Sequence, residues 1–150
     1  MQHQNGLRLY TASMLVWLLL CGCGVTNAGN EVELEGTAWH LETVESVEGE
    51  IIFTPPSPEF YWIEFSAVDS VKGQDECNSC EGTYELGSGR SISFRFFCTE
   101  MGCGIRYQGG IGYGDRLRSA TAYELKDGRL RISYSMRGNE GVLVHRAESR

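Results

Sequence analysis

The stretch from Cys80 to Cys98, CEGTYELGSGRSISFRFFC, has one antiparallel register that sorts its side chains cleanly. With the turn placed in residues 87–91, Leu86 faces Ile92, Tyr84 faces Phe94, Gly82 faces Phe96 and Cys80 faces Cys98. Glu81, Thr83, Glu85, Ser93 and Arg95 then share the opposite side. Side chains alternate with period two along a strand, so a slip of one residue would exchange the two faces. Directly opposed residues of a non-hydrogen-bonded pair lie close enough to approach disulfide geometry. Cys77 sits three residues before Cys80, level with Met101 and two residues from Cys103. The register therefore predicts nested bridges, Cys80–Cys98 inside Cys77–Cys103.

The rest of the chain repeats this pattern of short alternating segments separated by turn residues, the signature of an all-β protein. Residues 37–45 place Trp39 and Leu41 on one face, and residues 59–68 do the same for Tyr61, Ile63 and Phe65. Thr54-Pro55-Pro56-Ser57-Pro58 is a stiff loop, since proline cannot donate to a ladder. Asp127-Gly128 marks a two-residue hairpin. If Lys126 pairs with Arg129, then Leu125 faces Leu130, Tyr123 faces Ile132, Thr121 faces Tyr134, and Glu124 meets Arg131 as an opposite-charge pair. A turn around residues 138–141 leads to a closing strand, Val142 to His145. Neither an internal repeat nor a long amphipathic helix is visible.

The N-terminus reads as a targeting segment. Leu9 to Leu20 is a mostly apolar run of 12 residues, too short to span a bilayer but suited to the core of a secretory signal. It ends in Leu20-Cys21-Gly22-Cys23, which resembles the bacterial lipobox: a Leu three before the invariant Cys and a small residue directly before it. Residues 1–22 are thus expected to be a lipoprotein signal peptide, with Cys23 carrying the lipid. Residues 23–35 are expected to form a flexible tether, and 36–147 the domain. Gly24 after Cys23 gives no inner-membrane retention signal of the Asp type, so the expected place is the cell envelope, at an outer membrane where there is one. The chain carries a net charge of −7, and loss of Arg8 with the signal makes the mature form one unit more acidic. That argues against nucleic acid and against a polybasic grip on lipid; membrane attachment would be covalent. Four cysteines remain after lipidation, and export favours disulfides among them, with three connectivities.

Each candidate chemistry has a plainer structural alternative. A redox Cys77-x-x-Cys80 wants a helix N-terminus, whereas residues 81–84 read as turn then strand, and Glu76 and Glu81 disfavour a thiolate. A four-cysteine metal site has tolerable spacing, but export and the register both favour bridges, so no metal and no cofactor are expected. His40 and His145 are both placed on outward strand faces, without a partner order that points to catalysis. The glycine-rich residues 102–114 lack the frame of a phosphate loop and read as a surface loop. Alternation buries Tyr61 and Ile63 and turns Phe60 and Trp62 the other way. Those two are either covered by a loop or helix, or form an apolar surface for a partner or ligand.

Several of these positions also form an ordered series. Gly36-Thr37-Ala38-Trp39 resembles the opening G-x-x-W of the META domain, the HslJ-like family. Gly73, Cys77-Asn78 and Gly82-Thr83-Tyr84 resemble its central motif, and Thr99-Glu100-Met101-Gly102-Cys103 its T-x-M-x-C. The resemblance covers about residues 36–146. It implies a half-open small β-barrel with one helix, typically in bacterial envelope proteins linked with stress and drug tolerance, and no catalytic activity. Cys77 and Cys103 match a cysteine pair that recurs in the family, while Cys80 and Cys98 are additions. Glu76 stands where a small residue is usual. The six glycines of 102–114 occupy the place of the family helix, which is expected to be short, starting near Asp115, or absent. The function expected is a non-enzymatic binding or stress-related envelope lipoprotein. The alternatives are a lipocalin-like carrier of a small apolar ligand, its pocket lined from Trp39, Phe65, Tyr84 and Phe94, and a redox- or metal-sensing lipoprotein.

Overall fold

The computed structural model describes residues 34–67, 69–103 and 111–148. Cys23, the signal segment and all of the tether but its last two residues lie outside them. The described chain forms nine strands and one short α-helix. The strands are β1 (Thr37–Ser46), β2 (Ile51–Phe53), β3 (Tyr61–Ala67), β4 (Ser70–Asp75), β5 (Asn78–Leu86), β6 (Ile92–Cys98), β7 (Ala120–Lys126), β8 (Arg129–Met136) and β9 (Asn139–Ala147). The helix α1 (Tyr113–Arg118) lies between β6 and β7 in sequence. All pairings are antiparallel, in the order β6-β5-β4-β3-β1-β9-β8-β7, with β2 against the end of β1. Two meanders thus hang from either side of β1.

The sheet curls into a half barrel because right-handed twist accumulates over many strands. Among the described residues, its two ends meet at an isolated bridge from Ser91, just before β6, to Ala122 of β7. Helix α1 sits over the remaining gap: Arg118 Nη1 donates to Phe96 O of β6 (2.8 Å), and Ser135 N of β8 donates to Ser119 O (3.0 Å). An edge that would otherwise invite another strand is covered this way. Tyr113 and Leu117 of α1 are fully buried among the residues of the concave face, including Ile63, Phe65, Phe96, Leu130, Ile132 and Leu143. Each such side chain contributes roughly 1.5–3 kcal/mol by leaving water.

Both hairpin registers appear as the alternation dictates. Leu86 pairs with Ile92, Tyr84 with Phe94, Gly82 with Phe96 and Cys80 with Cys98. Leu125 pairs with Leu130, Tyr123 with Ile132 and Glu124 with Arg131. Asp127 and Gly128 both adopt positive φ, as the tight hairpin turn demands. One pair differs: a bulge between Ala120 and Ala122 sets Tyr134 opposite Ala120, so Thr121 does not face it. Four further boundaries move. The last turn is Arg137-Gly138, with β9 already under way at Asn139. The helix begins at Tyr113 rather than near Asp115. Pro58 opens a 3-10 turn, Pro58–Phe60, rather than closing a loop. Leu34, assigned to the tether, is 1% exposed and joins the core, because Thr37 N closes a turn onto its carbonyl (3.1 Å).

Candidate functional site

The cysteines resolve first. Cys77 bonds to Cys103, with Cα atoms 5.5 Å apart, and Cys80 to Cys98, at 4.0 Å. The Cys-x-x-Cys therefore belongs to two bridges, one at the β4–β5 turn and one across the β5–β6 ladder. Between them Asn78 organises the following loop: its Oδ1 accepts from Met101 N (2.7 Å) and Thr99 Oγ1 (3.1 Å), while its Nδ2 points to Cys103 Sγ (3.5 Å). Gly73 and Gly82 flank the buried Phe96. A Cβ on Gly73 would stand 2.9 Å from that ring and 2.4 Å from Trp62 O; one on Gly82 would stand 1.9 Å from Arg95 O. These glycines let adjacent strands close over Phe96. Trp39 is buried with its Nε1 donating to Thr37 Oγ1 (2.7 Å), Gly36 N donates to Phe65 O (2.6 Å), and Tyr84 packs edge-on against Phe65.

The outer face holds the other candidate. Along one row of the sheet His40 pairs with Trp62, Trp62 with Gln74, and Gln74 with Ser79. Half-buried Trp62 lies in a hollow of about 400 Å³ lined also by Ala38, His40, Glu59, Glu64, Gln74 and Glu148. His40 is fixed in place: Nδ1–H donates to Pro58 O (2.8 Å), and Nε2 faces Glu148 Oε1 at 3.7 Å. Ser57 caps the 3-10 turn that carries Glu59 into the rim. Phe60, paired with Trp62 in the sequence-based expectation, is not part of this surface. It ends the 3-10 turn and packs against the core from the other side. A second hollow of about 420 Å³ lies beside Cys80–Cys98, under the exposed Phe97.

A family model for the META domain matches residues 32–149. The chain belongs to the META domain family. Two solved structures share its fold. One is the NMR structure of a protein from Burkholderia xenovorans, with TM-score 0.55 and 19% identity, over 78% of this chain and 85% of that one. The other is the crystal structure of a DUF4847 family protein from Bacteroides vulgatus, with TM-score 0.56 and 16% identity, over 81% of this chain and 98% of that one. Curated proteins yield no match. In this META domain the landmark residues Gly36, Trp39, Gly73, Asn78, Gly82, Tyr84, Thr99 and Met101 hold the sheet and its loops together, and none of them lines the Trp62 hollow.

His145 corrects the expectation of an outward strand histidine. It is wholly buried, opposite Leu41 on the concave face, with Nδ1–H donating to Leu130 O (3.2 Å) and Nε2 accepting from Tyr113 Oη (2.8 Å). Burial pushes its pKa down to about 4, and the same desolvation raises that of Tyr113. Tyr61 Oη donates to Glu76 Oε1 (3.1 Å), and its pKa is raised, mainly by burial and then by the Glu76 charge. Asp75 accepts from Gly114 N (2.9 Å) at the start of α1, and desolvation holds its carboxyl above the usual range. These groups brace α1 on the sheet and face inward. Trp39, Phe65, Tyr84 and Phe94, the positions expected to line a carrier pocket, are all buried in the core, Phe65 ring against Tyr84 and Phe94. Sequence alone missed Glu59, Glu64, Gln74 and Glu148 as neighbours of Trp62. Glu64 shares the Trp62 face of β3 by simple alternation, whereas Gln74 and Glu148 arrive only through strand pairing and Glu59 through the 3-10 turn, although Trp62 at a solvent-side parity was a usable signal.

Proposed function

We propose that this META domain is a non-enzymatic binding module of the bacterial cell envelope, carried on a lipid at Cys23 and meeting a partner through the surface around Trp62. The observation that carries the binding role is a half-buried indole in a hollow on the polar side of the sheet. Exposed sheet faces bear polar residues by default, and a large aromatic held there suits an interface anchor. Against the carrier alternative, its four expected lining residues are all buried members of the core, with Phe65 packed on Tyr84 and Phe94. Export is supported by the Leu20-Cys21-Gly22-Cys23 ending and by two bridges that need an oxidising compartment. A link with envelope stress comes by family analogy alone.

Two experiments test this. Labelled palmitate should enter the full chain and be lost in Cys23→Ala, with the protein then leaving the membrane fraction. Persistent membrane labelling in that variant would refute the anchor. A photo-crosslinking amino acid at position 38, which lines the hollow and leaves Trp62 in place, should trap a discrete adduct in envelopes, where one at exposed Thr83 does not. Equal or absent adducts at both would refute the Trp62 surface.

A further inference from the structure

The outer face of the sheet divides into two electrostatic halves. Across β1, β8 and β7 three carboxylates are paired: Glu42 with Arg129 (2.5 Å), Glu45 with Arg131 (2.9 Å) and Glu124 with Arg131 (3.3 Å). Around Trp62 they are not. Among the described residues neither Glu59 nor Glu64 has a cationic group within 4.0 Å, and Glu148 has only the imidazole of His40. Lys72 stands opposite Glu64 in the ladder without forming an ion pair with it. Arg146, opposite His40, acts instead on Glu42, lowering its pKa alongside Arg129. The hollow thus offers three carboxylates and a half-buried indole, and among the described residues no lysine or arginine lines it.

Resting on the binding role proposed above, we infer that the Trp62 hollow receives a basic side chain, arginine or lysine, presented by a partner protein. The occupant follows from charge complementarity: the ring's negative face and the carboxylates attract the same cation. A guanidinium stacked on Trp62 can donate in its own plane to Glu59, Glu64 or Glu148, which a compact point charge does less well. Gln74, which also lines the hollow, gives its Nε2 to Glu76 O (2.6 Å), so the end of its amide left to meet such a donor is the acceptor Oε1. Among the described residues no group of three His, Cys, Asp or Glu is arranged to hold a metal ion, so the site favours an extended organic cation over a bare one. A hollow open on the sheet surface admits one protruding side chain without enclosing a free ligand.

The test uses the full chain in nonionic detergent and a fluorescent peptide bearing two arginines between glycine and serine spacers. A matched peptide carries citrulline, which keeps the shape and removes the charge. Anisotropy should show the arginine peptide binding about tenfold or more tighter than the citrulline one, with the difference shrinking as salt rises. Glu59→Gln/Glu64→Gln/Glu148→Gln, which preserves size and folding, should weaken the arginine peptide on the order of tenfold. Trp62→Leu should weaken it while leaving the circular dichroism spectrum unchanged. Equal affinity for both peptides, or an unaffected triple variant, overturns the inference. If that happens while position 38 still yields its adduct, the binding surface stands and only the partner's chemistry is wrong. If the adduct is also absent, both fall.

Discussion

Acidification should destabilise this domain through His145, beginning as pH falls below about 6.5. The imidazole is wholly buried, neutral, and locked between Leu130 O and Tyr113 Oη. Its pKa is about 4 when folded, against 6.5 for an imidazole free in water, so between those values the unfolded chain binds more protons. The sign follows: the stability this group contributes is complete above the unfolded value and is lost as pH falls from about 6.5 towards 4. Linkage over that gap puts the loss between pH 7.5 and 5 at about 2 kcal/mol. Asp75 acts oppositely, since a raised carboxyl contributes stability that is lost as pH rises. The assay is urea unfolding at both pH values for wild type and His145→Leu. The variant should be destabilised at pH 7.5, since Tyr113 Oη loses its acceptor, at roughly 1–3 kcal/mol. Its loss on going to pH 5 should be smaller than wild type's by about 2 kcal/mol. Asp75 remains in both proteins, so its contribution cancels in the comparison. Adding Tyr113→Phe to His145→Leu should recover part of the stability, because both buried polar ends are then gone. An unchanged pH response in His145→Leu would refute the reasoning.

Further consequences concern the braces. Cys80→Ala/Cys98→Ala should cost about 2–4 kcal/mol, read as a lower urea midpoint, and the same holds for Cys77→Ala/Cys103→Ala. Gly82→Ala should cost at least ~1–3 kcal/mol, since its Cβ would lie 1.9 Å from Arg95 O. Gly102→Ala, with nothing near its Cβ, should unfold within ~0.5 kcal/mol of wild type. Asn78→Ala leaves Met101 N and Thr99 Oγ1 without their acceptor and should raise amide exchange across residues 99–103 at a cost of about 1–2 kcal/mol.

The two hairpins were legible because each alternates strictly and is closed by its own turn, so neither needs information from elsewhere. The cysteine pairing came with the β5–β6 register for the same reason. His145 was not legible. Val142-Leu143-Val144-His145 is apolar at both parities, and it is the register with β8, His145 opposite Leu130 and Leu143 opposite Ile132, that fixes which residues turn inward. Thr121 failed to meet Tyr134 because a second bulge displaced it, and a bulge leaves no mark in a binary pattern. Tyr113 was hidden by the glycines around it, yet it is the pivot of α1. Its role becomes visible only once β9 places His145 beneath it. The Trp62 hollow is a product of tertiary pairing: Glu59, Gln74 and Glu148 come from a 3-10 turn, from β4 and from the residue after β9.

The proposed binding role requires the four cysteines to be staples rather than chemistry. Non-reducing peptide mapping of the full chain, purified from cells with thiols blocked at lysis, tests that most directly. It should return two cross-linked species, Cys77 with Cys103 and Cys80 with Cys98, and no alkylated thiol among these four. A Cys77–Cys80 bridge, or alkylated Cys77 and Cys80 in the folded protein, would contradict it and restore the Cys-x-x-Cys as a reactive pair.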